Sequence, residues 1–336
     1  MSGHETPAPS RERVLAAMDK PIPPRIKQAF LAMFIAGFAV FAYGVIRGNG
    51  RAWQAFHVNW LFFTTIASAG VMFVATQRIT TARWSRSIIR IMEGYVAFLP
   101  FAFVCLMLMI FAGNQYVYSW WELPGTGELA HEKNLYFGHA FFWGRSIGVM
   151  GLLVILQVWY VWTSVRLDVG VSPEGGASWA AGIRAAMRRG FGDERRELHS
   201  THSLQGKLAV FMALLFGFGW CVLAWDHSMS LDRHFFSTMY GWLEFMGGWL
   251  VSLMIFSGLV RWFNQHLGAP ALITTKQYHD IGRLCFAFTA FWGYLTFSQY
   301  LVIWYGNVGE ETHFFRMRLI DPWKTTTLAA ATLAFV

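Results

Sequence analysis

The chain is short of charge, of cysteine and of proline inside its apolar runs, and each shortage closes off a class of protein. Charged residues make up 14% of 336, where a soluble domain has about 25%, so a water-soluble globule is excluded. Cys105, Cys221 and Cys285 stand singly in apolar runs with no CxxC spacing. Iron–sulfur, zinc-ribbon and disulfide frameworks fall with that spacing, and the three thiols read as small buried hydrophobes. Five of the ten prolines lie in residues 1–27, a polar stretch without the early apolar core of a secretory signal, which reads as a cytoplasmic tail and not a cleaved peptide. Histidine is missing from the middle of every apolar run. His57, His131, His139, His227, His234 and His313 fall at outer ends, and His199, His202, His266 and His279 at inner ends or loops. A b-type haem between helices takes buried axial ligands such as histidine, so a di-haem cytochrome and a haem–copper oxidase are both disfavoured, and the chain is expected to carry no haem or metal of its own.

What is present is hydrocarbon. The sequence is 55% hydrophobic and 18% aromatic, with apolar runs at 28–46, 57–76, 92–112, 139–165, 206–225, 236–260 and 282–305. At about 1.5 Å per residue each can cross a bilayer core about 30 Å thick as a helix. The expected fold is an all-α polytopic transmembrane bundle with about seven complete spans in 28–323. Residues 324–336 start an eighth run too short to cross, which continues in the natural protein, re-enters or is covered by a partner. The 17 Trp and 11 Tyr mostly sit near run ends, where amphipathic rings settle at headgroup level. Nineteen of the 27 Lys and Arg fall in the tail and in loops 77–91, 166–207 and 261–283, which puts the amino terminus on the cytoplasmic side. The net charge of +8 is thereby a topological bias, and nucleic-acid binding is disfavoured. The loop with Arg184, Arg188, Arg189, Arg195 and Arg196 is basic enough to touch anionic lipid or a partner. Gly144 and Gly148, at GxxxG spacing, predict close packing of the fourth span.

Polar residues inside such runs are costly unless they face other helices or a watered cavity. Residues 278–312 open on His279, Asp280 and Arg283, carry Ser298, Gln299 and Tyr300, and close on Asn307, Glu310 and Glu311. Glu244 lies about 12 Å below the outer end of the sixth span, and Arg145 about 9 Å down the fourth. With Thr64, Thr65, Ser298 and Gln299 they form an expected polar layer in the outer half. A carboxyl left unpaired there can take up and release a proton, whereas pairing with Arg145 keeps it ionised. The layer therefore suits a quinone head group or a proton relay, or else a Glu–Arg pair pins the helices. Asp226, His227, Asp232 and His234 at the outer mouth suit a proton exit, helix capping by Asp232 or Ser230, or an Asp-x-His metal pair, the last being disfavoured. Glu93, His279 and Asp280 form an expected inner mouth that admits protons, since His and carboxylates exchange them near neutral pH; ordinary interfacial capping explains them as well. Two outer segments, 117–137 and 224–237, are more aromatic and acidic than simple connections need.

At these residues the chain resembles the NrfD-like, polysulfide-reductase-type membrane subunits, and most closely the second quinone-binding subunit of alternative complex III. The resemblance rests on His279, Asp280, Ile281 and Gly282; on Phe286, Phe288, Phe291, Trp292, Gly293 and Tyr294; on Ser298, Gln299 and Tyr300; and on Ile303, Trp304, Tyr305, Asn307, Glu310, Glu311 and Thr312. Asp226, Met229, Ser230, Leu231, Asp232, His234, Ser237 and Thr238 support it, as do Thr81, Arg83, Trp84, Arg90 and Glu93. It covers most of 57–323. It implies four-helix bundles in a multi-subunit quinol:cytochrome c or related oxidoreductase of a respiratory or photosynthetic chain in the bacterial cytoplasmic (inner) membrane. Menaquinone or another quinone is the implied cofactor. Haem and iron–sulfur clusters would sit on partners: a multihaem cytochrome, an iron–sulfur protein and a homologous subunit of the same type. This chain would contribute a quinone-site-like cavity or a proton path and would not be catalytic alone. Gly309 stands where the family has proline, and Glu244 matches no family motif. The competing reading is a stand-alone proton-coupled solute carrier. Broken helices at the midplane would favour it, and Pro100 is the clear proline inside a span.

Overall fold

The computed structural model describes residues 21–127, 131–172, 177–267 and 273–333. Every regular element among them is helical, because backbone N–H and C=O groups in hydrocarbon have only each other as partners. The long helices are α1 (Pro24–Ile46), α2 (Gly50–Ile79), α3 (Ile89–Val117), α5 (His139–Val171), α7 (Glu194–His227), α8 (Tyr240–Leu267) and α9 (Thr275–Gly306). Short α4 (His131–Tyr136) and α6 (Ala181–Arg188) lie on connections, and α10 (Gly309–Leu319) and α11 (Trp323–Leu333) come last. Six helices, α1, α2, α3, α5, α7 and α8, are long and apolar enough to cross a membrane. The chain is a multi-pass membrane protein with an all-α bundle. The seventh expected span is one 32-residue helix, α9, but Thr289, Thr296, Ser298 and Gln299 dilute its apolar run and it falls outside that six. The tail expected at 1–27 is described only from residue 21.

α2 is the central helix, buried over 78% of its apolar window and packed against α3, α7 and α8. Its small residues explain the position. A Cβ on Gly70 would come within 2.1 Å of the Tyr95 ring, and one on Gly248 of α8 within 2.2 Å of Thr65, so glycine sets how closely these helices approach. The expected GxxxG contact does not form. Gly144 and Gly148 are exposed and a Cβ on either meets nothing within 4 Å, because α5 turns its other face, with Phe142, Met150 and Leu153, to the core. Deep in the bundle, Gln157 of α5 donates to Ser68 Oγ at 3.0 Å and to the Ser68 carbonyl at 3.1 Å, and the Trp220 indole of α7 donates to the same hydroxyl at 2.9 Å. Cys105 and Cys221 are buried and Cys285 half-buried, all free.

α1 buries no residue. It leans on α2 through Phe41 against Trp53 and Phe56, while Phe30, Phe34 and Phe38 stay exposed for lipid. α3 changes pitch twice, in a 3₁₀ stretch at Gly94–Phe98 ahead of Pro100 and a π stretch at Met109–Gly113, without leaving the helical state. Beyond α9, Asn307 adopts a left-handed conformation (φ +47°) as C-cap, a role asparagine fills at low cost. Asn307, and not the residue at 309, thus makes the bend. Glu310 and Glu311 then occupy the first turn of α10, where the helix dipole favours acids.

Candidate functional site

The outer ends of α5 and α7 hold a tight ionic knot. Asp226 is fully buried, and the Arg145 guanidinium grips it with two prongs, Nε to Oδ2 at 2.7 Å and Nη2 to Oδ1 at 2.6 Å. Tyr136 of α4 donates to Oδ1 at 2.9 Å, and its ring lies 3.9 Å from the guanidinium carbon. Ser230 returns its hydroxyl to the Asp226 carbonyl at 2.5 Å. Arg145 therefore pairs with Asp226 and leaves Glu244 alone, against the expected Glu244–Arg145 alternative. The reason is positional: Asp226 ends α7 beside Arg145, while Glu244 starts α8.

Next to the knot, His227 and His57 are also buried, with ring centroids 6.1 Å apart. The Tyr118 hydroxyl lies 2.6 Å from His227 Nδ1. Trp60 and Phe142 close round it, at 5.1 and 5.5 Å between centroids, and Nε2 of both histidines lacks a partner among the described residues. Burial pushes the Tyr118 hydroxyl well above the usual tyrosine range, with the Asp226 charge adding to it. Tyr136 is raised for the same two reasons in the same order, partly offset by Arg145.

Glu244 has a different setting. It is half-buried, makes no hydrogen bond or ion pair among the described residues, and lines a cleft of about 480 Å³ between α2, α8 and α9. The walls include Phe62, Ile66, Leu250 and Met254, with Thr65 and the Trp292 indole as the other polar groups. The Thr65 hydroxyl donates to the Leu61 carbonyl at 2.7 Å, leaving its lone pairs free to accept. Phe62 and Met254 are 48% and 43% exposed, so the cleft opens sideways, where lipid tails would lie. One turn outward, Tyr240 shares a hydrogen bond of 2.7 Å with Ser228, two residues beyond Asp226.

The other expected residues do not gather here. Gln299 is buried, with both amide atoms unpartnered among the described residues. Trp292 faces Gly247 across the antiparallel pair α8 and α9, so Gln299 lies about 10 Å further out, near the level of Tyr240. Ser298 is half-buried, and Tyr300 is exposed with its ring 5.5 Å from Phe315. Asp232 accepts from the His234 amide at 3.2 Å and lies 3.6 Å from His313, with His234 exposed. Asp226, His227, Asp232 and His234 thus do not converge, and neither Asp232 nor Ser230 caps α8, which begins at Tyr240. The expected inner mouth also comes apart. Glu93 turns to α5, where Ser164 donates to it at 2.7 Å and Arg90 pairs with it and, at 2.8 Å, with Asp168. Asp280 lines a separate groove with Arg83 and Arg86, and His279 is exposed. Glu93 points away because α3 meets α5 on that face.

Tyr118, Tyr136, His57, Gln157 and Ser68 were not legible as partners. The aromatic segment 117–137 carried a signal for the two tyrosines, but nothing in spacing ties them to residues more than 85 positions on. No family model matches the chain, and neither does any curated protein.

Proposed function

We propose that this chain is a membrane subunit of a quinol oxidoreductase complex of the alternative complex III type, in which the Glu244 cleft meets a quinone head group and starts a proton path. The reading rests on the sequence resemblance and on one observation above others: a carboxyl with no partner among the described residues, in a largely apolar cleft that opens toward lipid. A polar solute would have to cross hydrocarbon to enter it, whereas a quinone already resides there, so the lateral opening weighs against a stand-alone solute carrier. The continuous course of α3 past Pro100 weighs the same way.

The cleft fits such a guest. Its volume of about 480 Å³ lies within the range of about 300–1,000 Å³ for small-molecule sites. The aliphatic and aromatic walls suit a ring and prenyl tail, Glu244 and the Trp292 indole can meet ring oxygens, and Thr65 can accept from a hydroxyl. A quinol bound there would release two electrons and two protons on oxidation. Glu244 is placed to take the protons from the cleft one at a time, and Tyr240 with Ser228 to hand each toward the outer face. The electrons would pass to haem and iron–sulfur centres on partner subunits. Arg145 and Asp226 hold the frame.

Purification from the native membrane, with identification of co-purifying subunits, haem spectra and extracted quinone, tests the assembly. Multihaem and iron–sulfur partners with menaquinone or another quinone are expected. A partner-free protein that moves a solute into liposomes overturns it. Within a confirmed complex, Glu244→Gln is expected to slow quinol-dependent turnover about a hundredfold, the scale of one lost acid–base group. Unchanged turnover would remove Glu244 from the path.

A further inference from the structure

On the cytoplasmic side, as lysine and arginine placement orients the chain, a groove of about 560 Å³ separates the α2–α3 connection from the start of α9. Arg83, Arg86 and Lys276 line it, with Asp280 the only carboxylate among its lining residues. All three cations are exposed, and none makes a hydrogen bond or an ion pair among the described residues. The basic 166–207 loop is the useful contrast. There Arg166 is paired with Glu197 at 3.3 Å, and Arg188 donates to the carbonyls of Val169 and Ser172 at 3.0 and 2.9 Å. Those two arginines are taken up in holding the loop; the three cations of the groove have no such partner among the described residues.

The groove is also held open. Thr81 sits in the left-handed region at φ +52°, and the Ala82 amide closes on the Gln77 carbonyl at 2.9 Å. Buried Ser85 donates to the Gln77 side chain at 3.2 Å. A non-glycine residue tolerates that conformation only where its surroundings impose it, so the connection is fixed with Arg83 and Arg86 on its exposed side. Across the groove, Thr274 and Gln277 form a capping box that sets the first turn of α9 and with it Lys276. Trp84, packed partly against the core, supplies the apolar wall.

We propose that this groove binds the phosphate of an anionic phospholipid headgroup. Three unpaired cations against one carboxylate call for an anion, and guanidinium donors suit phosphate oxygens. The source is lipid because of the groove's level: Arg83 follows the end of α2 by four residues and Lys276 precedes the apolar run of α9 by six. That is headgroup depth, with an indole where interfacial rings settle. This site is independent of the Glu244 cleft and of any quinone chemistry.

The test is the full chain purified in neutral detergent, stripped of lipid and titrated with phosphatidylglycerol, phosphatidylcholine or inorganic phosphate. Thermal unfolding and native mass spectrometry of retained lipid are the readouts. Phosphatidylglycerol is expected to raise the unfolding midpoint and to stay bound, with the other two inert. Lys276→Gln should weaken it about fivefold and Arg83→Gln/Arg86→Gln/Lys276→Gln about a hundredfold, on the scale of basic residues near an anionic surface. Asp280→Asn should tighten it, which keeps the test decisive if the triple variant does not fold. Arg195→Gln/Arg196→Gln, two exposed arginines of the basic loop outside the groove, should weaken it far less than the triple variant. Equal shifts with phosphatidylcholine, an equal loss in the Arg195/Arg196 variant, or weaker binding in Asp280→Asn would overturn the site. An inorganic-phosphate shift matching that of the lipid would overturn the lipid source.

Discussion

Asp226 and Glu244 are carboxylates at the outer ends of adjoining helices, yet among the described residues one is held by three donated hydrogen bonds and the other by none. Asp226 has no exposed surface, a two-pronged arginine and a tyrosine. Glu244 sits in a cleft with room beside it. A buried acid matched donor by donor ties helices together and has no freedom to exchange; an unmatched acid beside a cavity contributes little to the frame and stays available. Depth in the membrane does not separate the two. The census of partners does: Asp226 is matched donor by donor, and Glu244 is unmatched among the described residues.

The largest effect should come from splitting the knot. Asp226→Ala or Arg145→Ala leaves one buried charge without its partner, a cost of about 3–5 kcal/mol. Either variant should fold in low yield and unfold far earlier in detergent melts. Replacing both with apolar residues, Arg145→Met with Asp226→Leu, should recover most of the loss. If the double variant is no better than the singles, the pair does more than hold helices, and the contrast with Glu244 fails. At the inner side Glu93 belongs to the Asp226 class, so Glu93→Gln should cost about 1–3 kcal/mol in the same melts.

Much of the bundle was legible because membrane spans announce themselves by length and hydrophobicity, properties of single segments. Six expected spans appear as long apolar helices, and the seventh as α9, made less apolar by the hydroxyls and amide already visible in it. Pairing was less legible, because it depends on which faces meet. Arg145 and Glu244 lay at similar depth, and depth alone could not say that Asp226 would reach the guanidinium first. Glu93 looked like a neighbour of Asp280 because both end spans on one side, yet α3 turns Glu93 to Ser164 of α5. Gly144 and Gly148 had the spacing of a contact but the wrong face. Glu244 stood out in sequence by its depth in a span, and it lines a cleft, unpaired among the described residues.

The two tyrosines sharpen the comparison at a smaller scale. Tyr118 and Tyr136 are held neutral by burial and by the nearby Asp226 charge. The folded chain therefore keeps protons that an unfolded chain loses above about pH 10. Their contribution is complete below that pH and is lost as pH rises toward the higher folded values, up to about 1.4 kcal/mol per pH unit for each tyrosine. Unfolding midpoints measured upward from about pH 9 should fall in the wild type and fall less steeply in Tyr118→Phe. Tyr118→Phe should itself cost about 1–3 kcal/mol at neutral pH, since it leaves His227 Nδ1 buried without its hydroxyl. An unchanged alkaline slope would mean that the tyrosines are open to solvent, and the knot with them.

The smallest effect on stability is expected at Glu244, and its smallness is what makes it informative. Glutamine keeps the shape and removes the exchangeable acid. With no ion pair to break and space beside it, Glu244→Gln should change stability by no more than about 0.5 kcal/mol. A structural acid cannot behave so: loss of its charge would strand a donor, and Glu244 has none to strand among the described residues. Melts equal to wild type together with slowed proton-coupled turnover would place the residue in chemistry and leave Asp226 in architecture. A destabilisation on the scale of the Asp226 variants would instead mean that the cleft closes on Glu244 in the membrane, and the two carboxylates would then do the same work.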